Sequence, residues 1–272
     1  MVITAGACDT AAVAQQRSTP RRATPIDPQD LVAGLGRGLA VIECFDARHP
    51  RLTPTDVALR TGISRSAARR YLLSLCHFGY AQTDGRAFWL QARALRLGQS
   101  YLESTRLPTL AQPVLRRMAA ASGETASLAV LDGHDVVYLA RRGGTRTEFG
   151  LGSRVAAHAV SVGRAALSTL PDGALDDWIA EHRFTAFTAC TERDPDAFRR
   201  SILEARALGY AVAEQQLELG WRGLAIAVHD RRDACVAALS VTMPVCRLGM
   251  SAMVLRYLPL LREAAGELRG FL

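Results

Sequence analysis

The stretch TGISRSAARRYLLSLCHFGYAQTDG, residues 61–85, constrains the fold more than any other part of the chain. It sits between two punctuated helices and a turn. Upstream, Thr53 precedes Pro54, an N-cap followed by a proline in the first helical turn. The segment TDVALRTG then turns Val57, Ala58 and Thr61 inward and stops at Gly62. Ser64 caps the next helix, Ala67, Ala68, Tyr71, Leu72 and Leu75 form its apolar stripe, and Gly79 ends it. Two helices joined by a tight glycine-containing turn form a helix-turn-helix. YAQTDGRAFWL follows as two short strands around Asp84-Gly85. From Leu31 an earlier helix, LGRGLAVIECFDA, groups Leu39, Val41, Ile42 and Phe45 on one side. Helix, helix-turn-helix and hairpin is the order of a winged helix.

The charges on this unit point to a polyanion. No acidic residue occurs between Thr61 and Asp84, whereas Arg65, Arg69 and Arg70 lie off the apolar stripe. The second helix of such a motif enters the DNA major groove with its N-terminal residues toward base edges, and Ser64, Arg65 and Ser66 begin that helix. Arg65 or Arg69 suits bidentate guanine recognition, worth about 1–3 kcal/mol of discrimination. Arg70, the wing residue Arg86 and Arg37 suit phosphate contacts, which set register and carry no sequence information. The alternative is an amphipathic helix with a solvated basic face. The whole chain of 272 residues has 33 basic against 26 acidic side chains, a formal charge of +7, and every basic one is Arg. That balance favours an anionic partner but does not specify a fold.

The rest of the chain is organised around this unit. Residues 1–28, with Arg17, Arg21 and Arg22, read as a disordered basic tail, a possible DNA-touching arm. Residues 29–92 read as the winged helix-turn-helix domain, 93–107 as a linker helix and 108–272 as a second domain of α+β type. In that domain the period changes to two. TASLAVLDGHDVVYLAR reads as two strands around Asp132-Gly133, and GLAIAVHD and ACVAALSVTM as central strands. Helices are expected from Pro108 to Gly123, over SVGRAALSTL and GALDDWIAEH, from Asp194 or Pro195 to Gly209, and from about Met250 to Arg269, with loop over 142–160. Six cysteines at 8, 44, 76, 190, 235 and 246 form no CxxC pair and read as reduced thiols, with no metal site or cofactor expected. No apolar run approaches membrane-spanning length and no signal peptide is visible, so a cytoplasmic protein is expected.

The stretches LGRGLAVIECFD, LTPTDVALRTGISRSAARRYLLSLCHFGYAQTDGRAFWL, LAQPVLRRMAAASGETASLAVLDGHDVVYLARR, GLGSRVAAHAVSVGRAAL, ARALGYAVAEQQLELGWRGLAIAVHD and VAALSVTMP together resemble an IclR-type transcriptional regulator. GRGLAVIECFDARHPRLTP and TDGRAFWL are most similar to the branch regulating protocatechuate and 4-hydroxybenzoate catabolism. The resemblance implies a winged helix-turn-helix and a GAF-like α/β domain that binds a small organic acid. It also implies a homodimer or dimer of dimers on palindromic double-stranded DNA, no catalysis and no metal.

Carried over by position, the resemblance lines the effector site with His158 to Gly163, Ala213 to Gly223, and the strand positions Ser240 and Thr242. Ser161 and Val162 then offer helix N-terminal N–H groups to a carboxylate, and Ser240 and Thr242, two apart, face one way. Each hydroxyl could instead bond its own backbone neighbourhood, and Arg222 could pair a ligand carboxylate or hold its loop. Relatives that sense oxoacids place an acid and a cysteine where this chain has Ala213 and Gly223. Trp221 stands at an often aliphatic position. Both departures suit a larger, flatter ligand that stacks on Trp221. Ala156 and Ala227 replace common prolines, and RRGGTRTEFG is an atypical pocket rim. Two other readings are an effector-independent DNA-binding regulator and a serine esterase. AVSVG, residues 159–163, is one residue from the G-x-S-x-G elbow around Ser161, with His158, His229 and Asp230 elsewhere. The order of His229 and Asp230 and the absence of an oxyanion loop weigh against the esterase.

Overall fold

The computed structural model of the protein describes residues 27, 29–144 and 149–272. The tail expected over 1–28 therefore lies almost wholly outside the described residues. The chain divides into two compact units between Thr105 and Arg106.

The N-terminal unit contains α1 (Ala33–Glu43), α2 (Pro54–Thr61), α3 (Arg65–His77), β1 (Ala81–Thr83) and β2 (Phe88–Leu90). Its caps are those the sequence indicates. The Thr53 hydroxyl accepts from Asp56 N–H while the Asp56 carboxylate accepts from Thr53 N–H, a capping box. Gly62 closes α2 in the left-handed region at φ 73°, and Ser64 caps α3. Val41, Leu52, Val57, Ala68, Leu72 and Phe88 form the core. Leu39 and Phe45, expected on the inner side of α1, stay outside that fully buried set, and Leu39 is exposed. The hairpin differs from a two-residue turn. Thr83 pairs with Phe88, so the loop runs Asp84–Ala87, and the Asp84 carboxylate accepts from the N–H groups of Arg86 and Ala87. A short 3-10 turn (Ala92–Ala94) leads into α4 (Leu95–Ser104). Thr105 is extended and separates α4 from α5 (Arg106–Ser122), which begins two residues before Pro108.

The C-terminal unit is a six-stranded antiparallel sheet in the order β5-β4-β3-β8-β7-β6. The strands are β3 (Thr125–Asp132), β4 (Asp135–Arg142), β5 (Arg154–Ala156), β6 (Ala211–Glu214), β7 (Trp221–His229) and β8 (Cys235–Pro244). The helices are α5, α6 (Ser161–Leu167), α7 (Asp172–Glu181), α8 (Pro195–Leu208) and α9 (Met250–Phe271). The strand period of two sorts side chains by size. Leu224, Ile226 and Val228 of β7 and Leu239, Val241 and Met243 of β8 pack against α5 and α9. The opposite face presents Gly223, Ala225, Ala238, Ser240 and Thr242, and against it lie α6, α7 and α8.

Strands β5 and β6 are absent from the sequence reading. β5 is three residues long, falls in a stretch read as loop, and is pinned by Arg154, which pairs with Asp132 at 2.6 Å and Asp135 at 3.3 Å. β6 is four residues, recognisable only from its antiparallel partner, with Ala213 opposite Gly223.

The small residues permit a close approach. A Cβ on Gly163 of α6 would collide with the backbone of Ala157. Gly163→Ala is therefore expected to destabilise the C-terminal unit by about 1–3 kcal/mol or more, the usual cost of overpacking a core. Thermal unfolding followed by circular dichroism checks this. An unchanged melting temperature would show that α6 and the turn at Ala157 can move apart without loss.

Candidate functional site

Two sites follow from the fold, one in each unit. On α3, Ser64, Arg65, Ser66, Arg69 and Arg70 are all exposed, as are Arg86 in the hairpin loop and Arg37 on α1. Helical spacing sets Arg65 above Arg69 and Ser66 above Arg70. Among the described residues none of these five arginines makes an ion pair. The nearby arginines that do are held structurally. Arg60 pairs with Asp46 at 2.8 Å, and Arg51 lies 4.0 Å over the Trp89 ring. The one acid of the hairpin loop, Asp84, is tied down by the N–H groups of Ala87 and Arg86, which hold its carboxyl below the usual range. The exposed surface thus carries uncompensated guanidinium groups on a rigid helix, the arrangement that neutralises phosphate and reads bases.

The second site is a cavity in the C-terminal unit with about 490 Å³ of empty space including its open mouth. Ala159, Val160 and Ser161 enter it from the start of α6, Ala213, Trp221 and Gly223 from β6 and β7, and Thr242 from β8. A Cβ on Gly223 would fall 2.6 Å from the Ser161 hydroxyl and 3.5 Å from that of Thr242. Glycine at 223 is what lets these two hydroxyls share one wall. Five of the expected residues, Ser161, Trp221, Arg222, Gly223 and Thr242, therefore line the cavity.

Arg222 lines it with its guanidinium engaged by the protein, and the other three lie outside the lining. Arg222 follows Trp221 along the rim, but its guanidinium is committed to Glu214 at 2.9 Å and to the Leu248 carbonyl, so it holds the strand edge. Ser240 is buried between Ser127 of β3 and Ala225 of β7. Val162 packs in the core with Leu175 and Phe198. His158 is fully buried and turned away into a cluster of rings.

The sequence placed most of the remaining walls only as segments, the run Ala213 to Gly223 and the rim RRGGTRTEFG, and Tyr138 lay outside both. Tyr138 and Phe149 stack with centroids 6.2 Å apart, and Arg141 on β4 donates to the Phe149 carbonyl at 2.8 Å. Gln215, Gln216, Leu217 and Glu218, the loop between β6 and β7, complete the lining. An arginine inside the apolar run of β4 was the available signal. The cavity is lined by the rings of Tyr138, Phe149 and Trp221, the hydroxyls of Ser161 and Thr242, and the guanidinium of Arg141. That chemistry suits a planar ring bearing a carboxylate.

Beside the cavity runs a chain of imidazoles. His158 Nε2 lies 3.1 Å from the Thr185 carbonyl, which can only accept, so Nε2 carries the proton. His158 Nδ1 then accepts from His182 Nε2 at 2.8 Å, and His182 Nδ1 from His134 Nδ1 at 3.2 Å. All three rings are neutral in this arrangement. Burial pushes His158 down to about 4 and His182 to about 3, and lowers His134. Both ring nitrogens of His158 are occupied, so it is not a base for Ser161.

The model of the bacterial transcriptional regulator IclR C-terminal domain matches residues 99–269, and that of the IclR helix-turn-helix domain matches residues 34–85. The p-hydroxybenzoate hydroxylase transcriptional activator of Acinetobacter baylyi is 38% identical, covering 94% of this chain and 97% of that protein. The crystal structure of a Rhodococcus sp. RHA1 protein shares 38% identity at a TM-score of 0.74, covering 88% of this chain and 98% of that one. The inducer-binding domain of an Acinetobacter PobR transcription factor, a double mutant in complex with 3-hydroxybenzoic acid, is 31% identical at a TM-score of 0.58. It spans 62% of this chain and 100% of its own.

The imidazole chain predicts a pH dependence. The unfolded chain binds protons on His158 and His182 near their ordinary 6.5, whereas the folded chain resists them until about 4 or below. The unfolded state therefore holds more protons across that window, and stability falls as pH drops from about 6.5 toward 4, at up to about 1.4 kcal/mol per pH unit for each group. Denaturant midpoints should fall more steeply between pH 6.5 and 4.5 in the native protein than in His182→Phe. Parallel slopes would show that these rings titrate normally.

Proposed function

This chain belongs to the IclR family of bacterial transcriptional regulators, and from that premise we propose that a hydroxylated aromatic acid controls its binding to an operator. The observation that carries the reading is the convergence of Tyr138, Phe149 and Trp221 with Arg141, Ser161 and Thr242 around one cavity. The rings supply flat apolar walls, Arg141 faces the carboxylate, and the hydroxyls of Ser161 and Thr242 receive the ring hydroxyl. Ala213 and Gly223 stand opposite each other on β6 and β7 and leave room there that larger side chains would fill. Relatives named for p-hydroxybenzoate hydroxylase activation and crystallised with 3-hydroxybenzoic acid support the same ligand class.

In this proposal residues 29–92 hold DNA through Ser64, Arg65, Ser66, Arg69 and Arg70 of α3, with Arg86 and Arg37 on phosphates. Residues 93–107 link the units, and 108–272 bind the effector and oligomerise. A palindromic operator requires two copies of α3 about one helical turn of DNA apart, so the working form is a homodimer or a dimer of dimers. Leu95, Leu97 and Tyr101 on α4 are exposed apolar side chains available for such an interface. A regulator of this type acts in the cytoplasm, where its DNA is. Among the described residues no helix is long and apolar enough to cross a membrane. The effector shifts operator affinity only through a difference in its affinity for the two arrangements of the protein.

Three measurements test the proposal. A thermal-shift panel of 4-hydroxybenzoate, protocatechuate, small oxoacids and dicarboxylates should give shifts confined to the aromatic acids. A shift with oxoacids alone would remove Trp221 and Gly223 as determinants. Arg69→Ala should lower specific operator affinity by about 1–3 kcal/mol while leaving non-specific binding much less affected. Equal losses would make Arg69 a phosphate contact. The log of operator affinity should also fall linearly with the log of salt concentration, as counterion release requires.

A further inference from the structure

Arg164 of α6 is a buried cation with no carboxylate in direct ion-pair contact among the described residues. The residue is 8% exposed. Its partners are all neutral. Nε donates to the His158 carbonyl at 2.9 Å, Nη2 to Gln216 Oε1 at 3.0 Å, and Nη1 reaches Ser201 Oγ at 3.4 Å. The guanidinium also lies 5.3 Å from the Phe198 ring centroid. The acid that acts on it electrostatically, Glu192, has its carboxylate engaged by the N–H groups of Arg193 and Asp194. Burial pushes Arg164 down to about 10, so it remains charged at neutral pH. Burying a charge with only neutral partners is costly, and packing alone would be served better by an apolar side chain.

The partners of Arg164 indicate what the charge does. The His158 carbonyl is followed directly by Ala159, Val160 and Ser161, one wall of the cavity. Gln216 belongs to the opposite wall, where its amide oxygen also accepts from Glu192 N–H at 2.7 Å and its carbonyl from the Thr191 hydroxyl at 2.6 Å. Arg164 does not line the cavity. It stands behind both walls and joins them.

Resting on the effector reading above, we propose that Arg164 is a positioning residue that clamps these two walls, and that its uncompensated charge selects an anionic ligand over a neutral one of the same shape. In a low-dielectric interior a charge behind the wall still acts on a carboxylate in the cavity. The ligand's carboxylate, beside Arg141, supplies the negative charge that the protein withholds. Glu192 beside Arg164 and Glu218 on the same loop are the acids that oppose this field, and Arg222 is neutralised by Glu214.

The test compares 4-hydroxybenzoate with its uncharged carboxamide, 4-hydroxybenzamide, by calorimetric titration of the full chain. The native protein should prefer the acid. Arg164→Met should lower the acid-to-amide affinity ratio by about tenfold or more, and Arg164→Lys, which keeps the charge, should retain most of it. Ser201→Asp places a carboxylate beside Nη1 and should lower the same ratio with the arginine intact, so the proposal survives a failure of Arg164→Met to fold. Equal losses for acid and amide in Arg164→Met, or an unchanged ratio in Ser201→Asp, would overturn it and leave Arg164 a purely structural clamp. If the native protein binds neither compound, the effector reading fails, and this proposal with it. If it binds both equally, the aromatic cavity stands and the charge selection fails.

Discussion

The close seating of α6 on the central sheet is the constraint on which the C-terminal unit depends. It requires small residues on both sides of one interface: Ser161 and Ala165 on the helix, and Gly223, Ala225 and Ala238 on the strands. Large side chains are exiled to the other sheet face, where α5 and α9 bury them. The same arrangement makes the cavity. Where the helix begins, at Ser161, the small-residue face continues to Gly223 and Thr242 without side chains large enough to fill the space. Packing and binding are therefore two ends of one interface, and the hydroxyls at its end are polar groups in contact with space that a ligand can occupy.

Beside Arg164 and the Arg222–Glu214 pair, neutral groups brace the polar scaffold around that cavity. Thr188 and Thr191 hold the carbonyls of Gln215 and Gln216, each at 2.6 Å, and Gln215 adopts φ 53°, an unusual value for a residue other than glycine. The imidazole chain through His158 ends on Thr185 of the same connecting segment. The segment between α7 and α8 thus braces the loop between β6 and β7, and the walls of the cavity are fixed from behind. A preorganised pocket of this kind loses less to ordering on binding.

Much of this was legible in the sequence. Thr53-Pro54, Gly62, Ser64 and Gly209 act locally through capping and left-handed backbone, and so the helices they bound are visible without tertiary information. A period of two indicated β3 and β4, and continuous apolar runs indicated β7 and β8. What stayed hidden depends on partners distant in sequence. β5 and β6 are edge strands too short to carry a pattern, and they exist because β4 and β7 accept them. His158 and Arg222 are polar residues near the right segments, but which way each points is set by Thr185 and Glu214. Arg141 and Tyr138 entered the cavity from a strand whose register, shifted between Leu128 and Ala129, cannot be counted along the chain.

The central claim is that an aromatic acid lies against Trp221 in this cavity, and tryptophan fluorescence reads it directly. The chain has three tryptophans, 89, 178 and 221, and only Trp221 lines the cavity among the described residues. Titration with 4-hydroxybenzoate should quench the emission saturably with one ligand per chain, and Trp221→Phe should abolish the quenching while calorimetry still detects binding. Saturable quenching that persists in Trp221→Phe, or no saturable change with any aromatic acid in a folded protein that binds its operator, would contradict the account.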